Sequence, residues 1–136
     1  METPKDLRYT DNDEWIRVEG NMGTIGITDF AQDQLSDIVY VEIVVAEGYE
    51  ISKGDSCATI ESVKAVSDLF YPATGEVIEV NVDLKDGPQL VNEDCYGKGW
   101  MFKIKPADMA EINTLIHGPE EIEKWLLADI EKYKQD

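Results

Sequence analysis

The stretch Ile60-Glu61-Ser62-Val63-Lys64-Ala65-Val66-Ser67-Asp68 decides how the chain is read. It joins two runs of strand length, Ser56–Glu61 and Val66–Tyr71, whose apolar residues favour extended structure. Between them there is no Gly, Pro or Asn to relax the backbone. The spacing predicts a tight hairpin that projects Lys64 from a rigid support. Such a placement suits an amine presented to another protein, because a site carried on a regular element is held more accurately than one on a loose loop. The same spacing fits a lysine that only solvates an acidic surface, so the pattern alone leaves both readings open.

Outward from this hairpin the alternation continues. Trp15-Ile16-Arg17-Val18-Glu19 alternates, Gly20-Asn21 turns, and Met22 to Ile27 resumes, which predicts a second hairpin. Thr28 is placed to cap a short helix over Asp29–Leu35. Val39, Val41 and Ile43 are assigned to one face of a strand and Tyr40 and Glu42 to the other. Gly48, Gly54-Asp55, Pro72 and Gly75 mark turns, and strands follow at Glu76–Val82 and Trp100–Ile104. Short strands without a βαβ rhythm predict a barrel or small sandwich, with Trp15, Val39, Val41, Ile60, Val77 and Val80 in its core.

The pattern changes after Pro106. Asp108 with Glu111 has the spacing of a capping box, and Met109, Ile112 and Ile116 share a helical face. Gly118 is read as the C′ residue of that helix, with His117 at its end, and Pro119 as the start of another. Ile122, Leu126, Ile130 and Tyr133 form the stripe of this last helix, with Trp125 on its flank. We therefore expect a single domain over 1–136, with a β core at about 13–105 and a helical extension at about 108–134.

The chain has 136 residues, 12 basic and 29 acidic, and a net charge of −17. That balance argues against nucleic acid and anionic membrane as partners, since both call for a basic surface. Apolar residues at 43% supply a real core, unlike a disordered acidic tail. Cys57 and Cys95 lack CxxC spacing and, with His117 the only histidine, make a poor metal set. A lone histidine at a helix end also leaves no nucleophile–base–acid arrangement for a hydrolase. Neither a signal-like apolar run nor a stretch of ~18 apolar residues occurs, so we expect a soluble protein of a reducing compartment.

A longer series of motifs goes further. Glu61-Ser62-Val63-Lys64-Ala65, Ser67-Asp68 and Pro72-Ala-Thr-Gly75-Glu-Val-Ile-Glu-Val-Asn81 resemble the H proteins of the glycine cleavage system. So do Asp13-Glu14-Trp15, Gly26-Ile-Thr28-Asp29-Phe30-Ala31-Gln32, Leu35, Asp37-Ile-Val-Tyr-Val-Glu42, Leu90-Val-Asn92-Glu93-Asp94, Tyr96-Gly97 and Gly99-Trp100. The resemblance runs over about residues 7–133. It implies a mainly β, hybrid barrel-sandwich fold like that of lipoyl and biotinyl carriers, and a carrier that is not itself a catalyst. Val63 and Ala65 flank the lysine where a biotin carrier has methionines, which favours lipoate.

The resemblance implies (R)-lipoate in amide linkage to Lys64, with Glu61, Ser62, Val63 and Ala65 as the sequence a lipoate ligase or a lipoyl/octanoyl transferase recognises. It implies an aminomethyl group received from a pyridoxal-phosphate glycine decarboxylase and passed to a tetrahydrofolate-dependent aminomethyltransferase. Electrons then go to the FAD/NAD enzyme dihydrolipoyl dehydrogenase. A cargo cleft of Glu14, Asp68, Asn12 and Gln34 follows by the same resemblance, because carboxylates suit a protonated amine. The implied carrier is a monomer in isolation. It is expected in a bacterial cytoplasm, or in the mitochondrial matrix once a presequence is removed.

The chain departs from the family pattern in places. Asp13 and Gln34 stand where histidines are common, and Gln34 can donate a hydrogen bond but cannot titrate near neutrality. Cys95 stands at a usual proline, and Cys57 at a small apolar residue of the strand entering the hairpin. Both are read as free packing cysteines. A second role fits the same lysine: a relay or store that supplies lipoate to other lipoyl domains or to a stress-linked lipoyl modification system. An unmodified interaction protein is the remaining alternative.

Overall fold

A computed structural model describes residues 3–134. Nine strands form two antiparallel sheets. The larger contains β1 (Arg8–Tyr9), β2 (Glu14–Glu19), β3 (Met22–Ile27), β5 (Glu50–Ile51), β8 (Gly75–Val80) and β9 (Phe102–Pro106), in the order β1-β2-β3-β9-β8-β5. The smaller is β4 (Ile38–Ile43), β6 (Ser56–Ser62) and β7 (Val66–Phe70), in the order β4-β6-β7. Helix α1 (Asp29–Leu35) links them. Single turns α2 (Asp83–Asp86), α3 (Leu90–Glu93) and α4 (Met109–Ile112) follow, then α5 (Pro119–Lys134). This is the hybrid sandwich of lipoyl and biotinyl carriers.

Alternation builds the core as far as the register allows. Ile16, Ile25, Ile60, Val77, Phe102 and Ile104 fill the space between the sheets, with Tyr71 edge-on to Phe102 at 5.0 Å between ring centres. Gly20 adopts φ +62° between β2 and β3 while Asn21 does not, the arrangement of a type II′ turn. At Gly26, opposite Trp15, a Cβ would lie 2.8 Å from the indole ring, so glycine is what lets that ring lie flat on the strand. Thr28 caps α1 as expected, its Oγ1 accepting from the Ala31 N–H at 3.1 Å.

Four expectations in β4, β8 and the segment 108–118 are corrected. Val39 is 53% exposed rather than part of the core, because a bulge in β4 between Ile38 and Tyr40 turns Ile38 and Val41 inward instead. Val80 is only partly buried against the core. The helix after Pro106 is a single turn: Asp108 caps Ala110, but the Glu111 carboxylate turns to Thr74 rather than back to Asp108. Ile116 then pairs as a β-bridge with Tyr9, which leaves His117 and Gly118 in the link to α5 rather than at a helix end. Backbone pairing with β1 there outweighs helix propagation.

Along α5 the buried positions are Ile122 and Asp129, with Trp125 and Leu126 half-buried and Ile130 exposed. The stripe is thus rotated from the predicted one, and the Tyr133 side chain lies outside the described residues. Ile122 joins Leu7, Tyr9 and Trp15 in a second cluster, where Trp125 stacks on Tyr9 at 5.1 Å. Cys57 and Cys95 are buried, and neither forms a disulfide among the described residues.

Candidate functional site

Lys64 sits at the exposed tip between β6 and β7. The turn is made without glycine, and none of residues 62–65 has positive φ. Ser62 does the work: its Oγ accepts from the Lys64 N–H at 3.2 Å and the Ala65 N–H at 3.0 Å and donates to the Ala65 carbonyl at 3.2 Å. The Ser62 N–H donates to the same carbonyl at 2.8 Å. A serine that satisfies its own turn in this way replaces the glycine a hairpin usually needs. From outside, the Asp37 carbonyl accepts from the Val63 N–H at 3.0 Å.

Asn92 fixes the ground on which the tip rests, and sequence reasoning gave it no role. Its Oδ1 accepts from the Ile38 N–H at 2.8 Å, and its Nδ2 donates to Gln32 Oε1 and to the Ser36 carbonyl, both at 2.9 Å. One side chain so joins α1, the entry to β4 and α3 beside Asp37. The only signal in the sequence is a polar residue inside the apolar Leu90-Val91 turn.

Beside the tip lies a cleft of about 250 Å³ lined by Asn12, Asp13, Gln34, Ala65, Val66 and Ser67, with Phe30, Ala31 and Leu35 from α1. Asn12 also lines a neighbouring cleft of about 270 Å³ with Glu14, Lys53, Phe70 and Tyr71. The structure therefore brings Asn12 and Gln34 next to the lysine hairpin and puts Glu14 on the far side of Asn12. Asp68 lines neither cleft. It is exposed on β7, where its Oδ1 accepts from Thr59 Oγ1 at 3.3 Å across the β6–β7 pair.

Glu14 is 1% exposed. Its Oε1 accepts from the Thr10 hydroxyl at 2.8 Å and its Oε2 from the Phe70 N–H at 2.8 Å, which ties β2 to the end of β7. Burial pushes its carboxyl up to about 7, against the opposing pull of those two hydrogen bonds. Next to it, Asp13 is also buried, at φ +61°, with its N–H on the Thr10 carbonyl and its carbonyl taking the Thr28 N–H. Asp129, which sequence reasoning missed, meets it from α5. An acid inside an apolar stripe was the available clue. Behind both, the Trp15 indole N–H donates to the Cys95 carbonyl at 3.1 Å, and the Arg17 guanidinium lies over the Trp15 ring at 5.0 Å.

Two sheets packed in this hybrid sandwich, with Lys64 exposed on the hairpin of the smaller sheet beside a cleft, define the architecture of a lipoyl or biotinyl carrier domain. Comparison with known proteins gives the family. The description "Glycine cleavage H-protein" matches residues 7–129. The chain is 55% identical to the glycine cleavage system H protein of Carboxydothermus hydrogenoformans, covering 90% of this chain and 93% of that one. It is 49% identical to the probable glycine cleavage system H protein of Aeropyrum pernix, covering 88% of this chain and 82% of the other. The crystal structure of an H protein from Mycobacterium marinum superposes with a TM-score of 0.72 at 38% identity, covering 77% of this chain and 87% of that one. The chain belongs to the glycine cleavage H-protein family. It is a non-catalytic lipoyl carrier that serves as the shuttle of the glycine cleavage system.

Proposed function

We propose that Lys64 is the lipoylated residue and that Glu61, Ser62, Val63 and Ala65 form the surface its ligase or transferase reads. The observation that carries this is the Lys64 tip itself: exposed, built without glycine and locked by Ser62. The residues present fit the group. Lys64 makes no side-chain hydrogen bond or ion pair with the described residues, and the cleft beside it is open along Ala65 and Val66. Acylation would remove the lysine's positive charge from a surface that does not depend on it.

When bound, the lipoyl group supplies the dithiolane that accepts an aminomethyl unit and is later reoxidised. The chain supplies placement. Tethering confines the reactive end to one neighbourhood and replaces capture of a free cofactor from solution. Asn12 and Gln34 line the cleft nearest the tip, and Glu14 stands beyond Asn12 with a carboxyl poised near neutrality. These three are our cargo residues, acting as hydrogen-bond acceptors for a protonated amine. Asp68 is exposed on the flank of the hairpin, which places it better for the enzyme that acylates Lys64 than for cargo.

The partners on this reading are the pyridoxal-phosphate glycine decarboxylase, the tetrahydrofolate-dependent aminomethyltransferase and the flavoprotein dihydrolipoyl dehydrogenase. Intact mass after treatment with lipoate ligase, followed by peptide mapping, tests the attachment. A single increment on Lys64 supports it, and an increment on Lys53 or Lys85 overturns it. Reconstitution of the loaded carrier with the decarboxylase and aminomethyltransferase tests the shuttle. Failure to accept an aminomethyl group when fully lipoylated would count against this role and favour the lipoate relay.

A further inference from the structure

The contact between Asp13 and Asp129 is not explained by carrying a lipoyl group. Asp13 is 6% exposed and Asp129 8% exposed, and the two side chains meet within hydrogen-bonding range. Asp13 Oδ1 and Asp129 Oδ2 are buried acceptors that no donor among the described residues satisfies. Two ionised carboxylates offer acceptors only, so this contact is a hydrogen bond only when one of the pair carries a proton. We propose that Asp13 and Asp129 share a single proton and form a latch that docks the second half of α5 against the wall of the cleft beside Lys64.

The position of Asp13 gives the latch its reach. Its side chain meets α5, its carbonyl holds the Thr28 N–H that begins α1, and it lines the same cleft as Gln34 and Ser67. The helix partner arrives from 116 residues away, and among the described residues Asp129 is the buried position of α5 beyond Ile122. The charged groups acting on Asp13 are Asp129 and Lys132 from α5 and Glu14, the next residue in the chain. The residues that share its cleft from α1 (Phe30, Ala31, Gln34) and from β7 (Val66, Ser67) carry no charge. Burial and the two neighbouring acids push Asp13 up to about 8, while Lys132 pulls the other way.

The sign of the effect follows. An undocked Asp13 ionises near the ordinary carboxylate range, whereas docked Asp13 keeps its proton to about 8. Opening therefore releases a proton across that window. Docking of α5 weakens as pH rises and stops weakening once docked Asp13 has itself ionised.

Amide hydrogen exchange of residues 125–132, corrected for intrinsic rates and read against the core strand 75–80, tests this on the whole chain between pH 5.5 and pH 9. Protection in α5 should fall about tenfold per pH unit up to about pH 8 and then level off, as one released proton requires. Asp129→Asn and Asp13→Asn each keep a hydrogen bond, because the amide donates to the remaining carboxylate without a proton. Both variants should lose the slope while α5 stays docked. A parent profile flat with pH overturns the latch. So does an unchanged slope in either folded variant, which would assign the titration to another group such as Glu14.

Discussion

The lysine hairpin and the turn before β2 lie on opposite sides of one cleft, and they are built in opposite ways. At the hairpin nearly every bond is local: Ser62 serves Lys64 and Ala65, and only Asp37 reaches in from outside. At the turn, Asp13, Glu14 and Trp15 depend on Asp129, Phe70 and Cys95, all distant in sequence. The hairpin, proposed as the element other proteins read, holds its own shape through its own hydrogen bonds. The element that shapes the cleft is set by what is packed behind it, and it carries the shifted carboxyls.

The sharpest way to break this comparison is at the tip. Lys64→Arg should abolish lipoylation completely, as read by intact mass, while leaving unfolding free energy within about 0.5 kcal/mol of the parent, since the side chain replaced is exposed and has no partner among the described residues. A large loss of stability would show that the tip is not self-contained.

On the other wall, Ile122→Ala should cost about 2–5 kcal/mol in denaturant unfolding, because Ile122 is fully buried among Leu7, Tyr9 and Trp15. Leu126→Ala should cost less, in keeping with its partial exposure. Equal and negligible costs for both would mean that α5 does not pack as described.

Glu14 sharpens the comparison through pH. Its folded carboxyl is raised to about 7 from an ordinary 4.5, so the unfolded chain releases this proton first and stability falls as pH rises between those values. The loss is on the order of 3 kcal/mol at full development. Glu14→Gln keeps the Phe70 and Thr10 hydrogen bonds in reach and should flatten that part of the stability profile. A parent and variant with parallel profiles from pH 4.5 to 7 would refute the assignment.

The smallest effect belongs to Ser62→Ala. Losing the hydroxyl that satisfies the turn should cost about 1 kcal/mol and slow acylation of Lys64 by the ligase, without moving the Glu14 or α5 signals. A change in α5 protection in this variant would tie together two walls that the structure builds separately.

How much could be read beforehand follows the same division. Alternation, turn residues and the Thr28 cap predicted β2, β3, α1 and the Lys64 hairpin closely, because each rests on contacts between near neighbours in the chain. The Val39 face, the helix after Asp108 and the stripe of α5 were misread for one reason: their outcome turned on distant partners. A bulge set against β6 exchanged Val39 for Ile38, pairing with Tyr9 drew Ile116 out of a helix, and Asp13 drew Asp129 into the interior.

The candidate site divides likewise. That Lys64 stands on a hairpin was legible in residues 56–71, and the family motifs supplied the carrier reading. That Gln34 and Asn12 share its cleft, that Glu14 is buried behind Asn12 and that Asp68 faces solvent were decided only when β2, β7 and α1 came together. The physical reason is range. Backbone preference and side-chain period act over a few residues and fix elements, whereas burial, desolvation and the sharing of a proton between carboxyls exist only where the folded chain removes water from groups that the sequence keeps far apart.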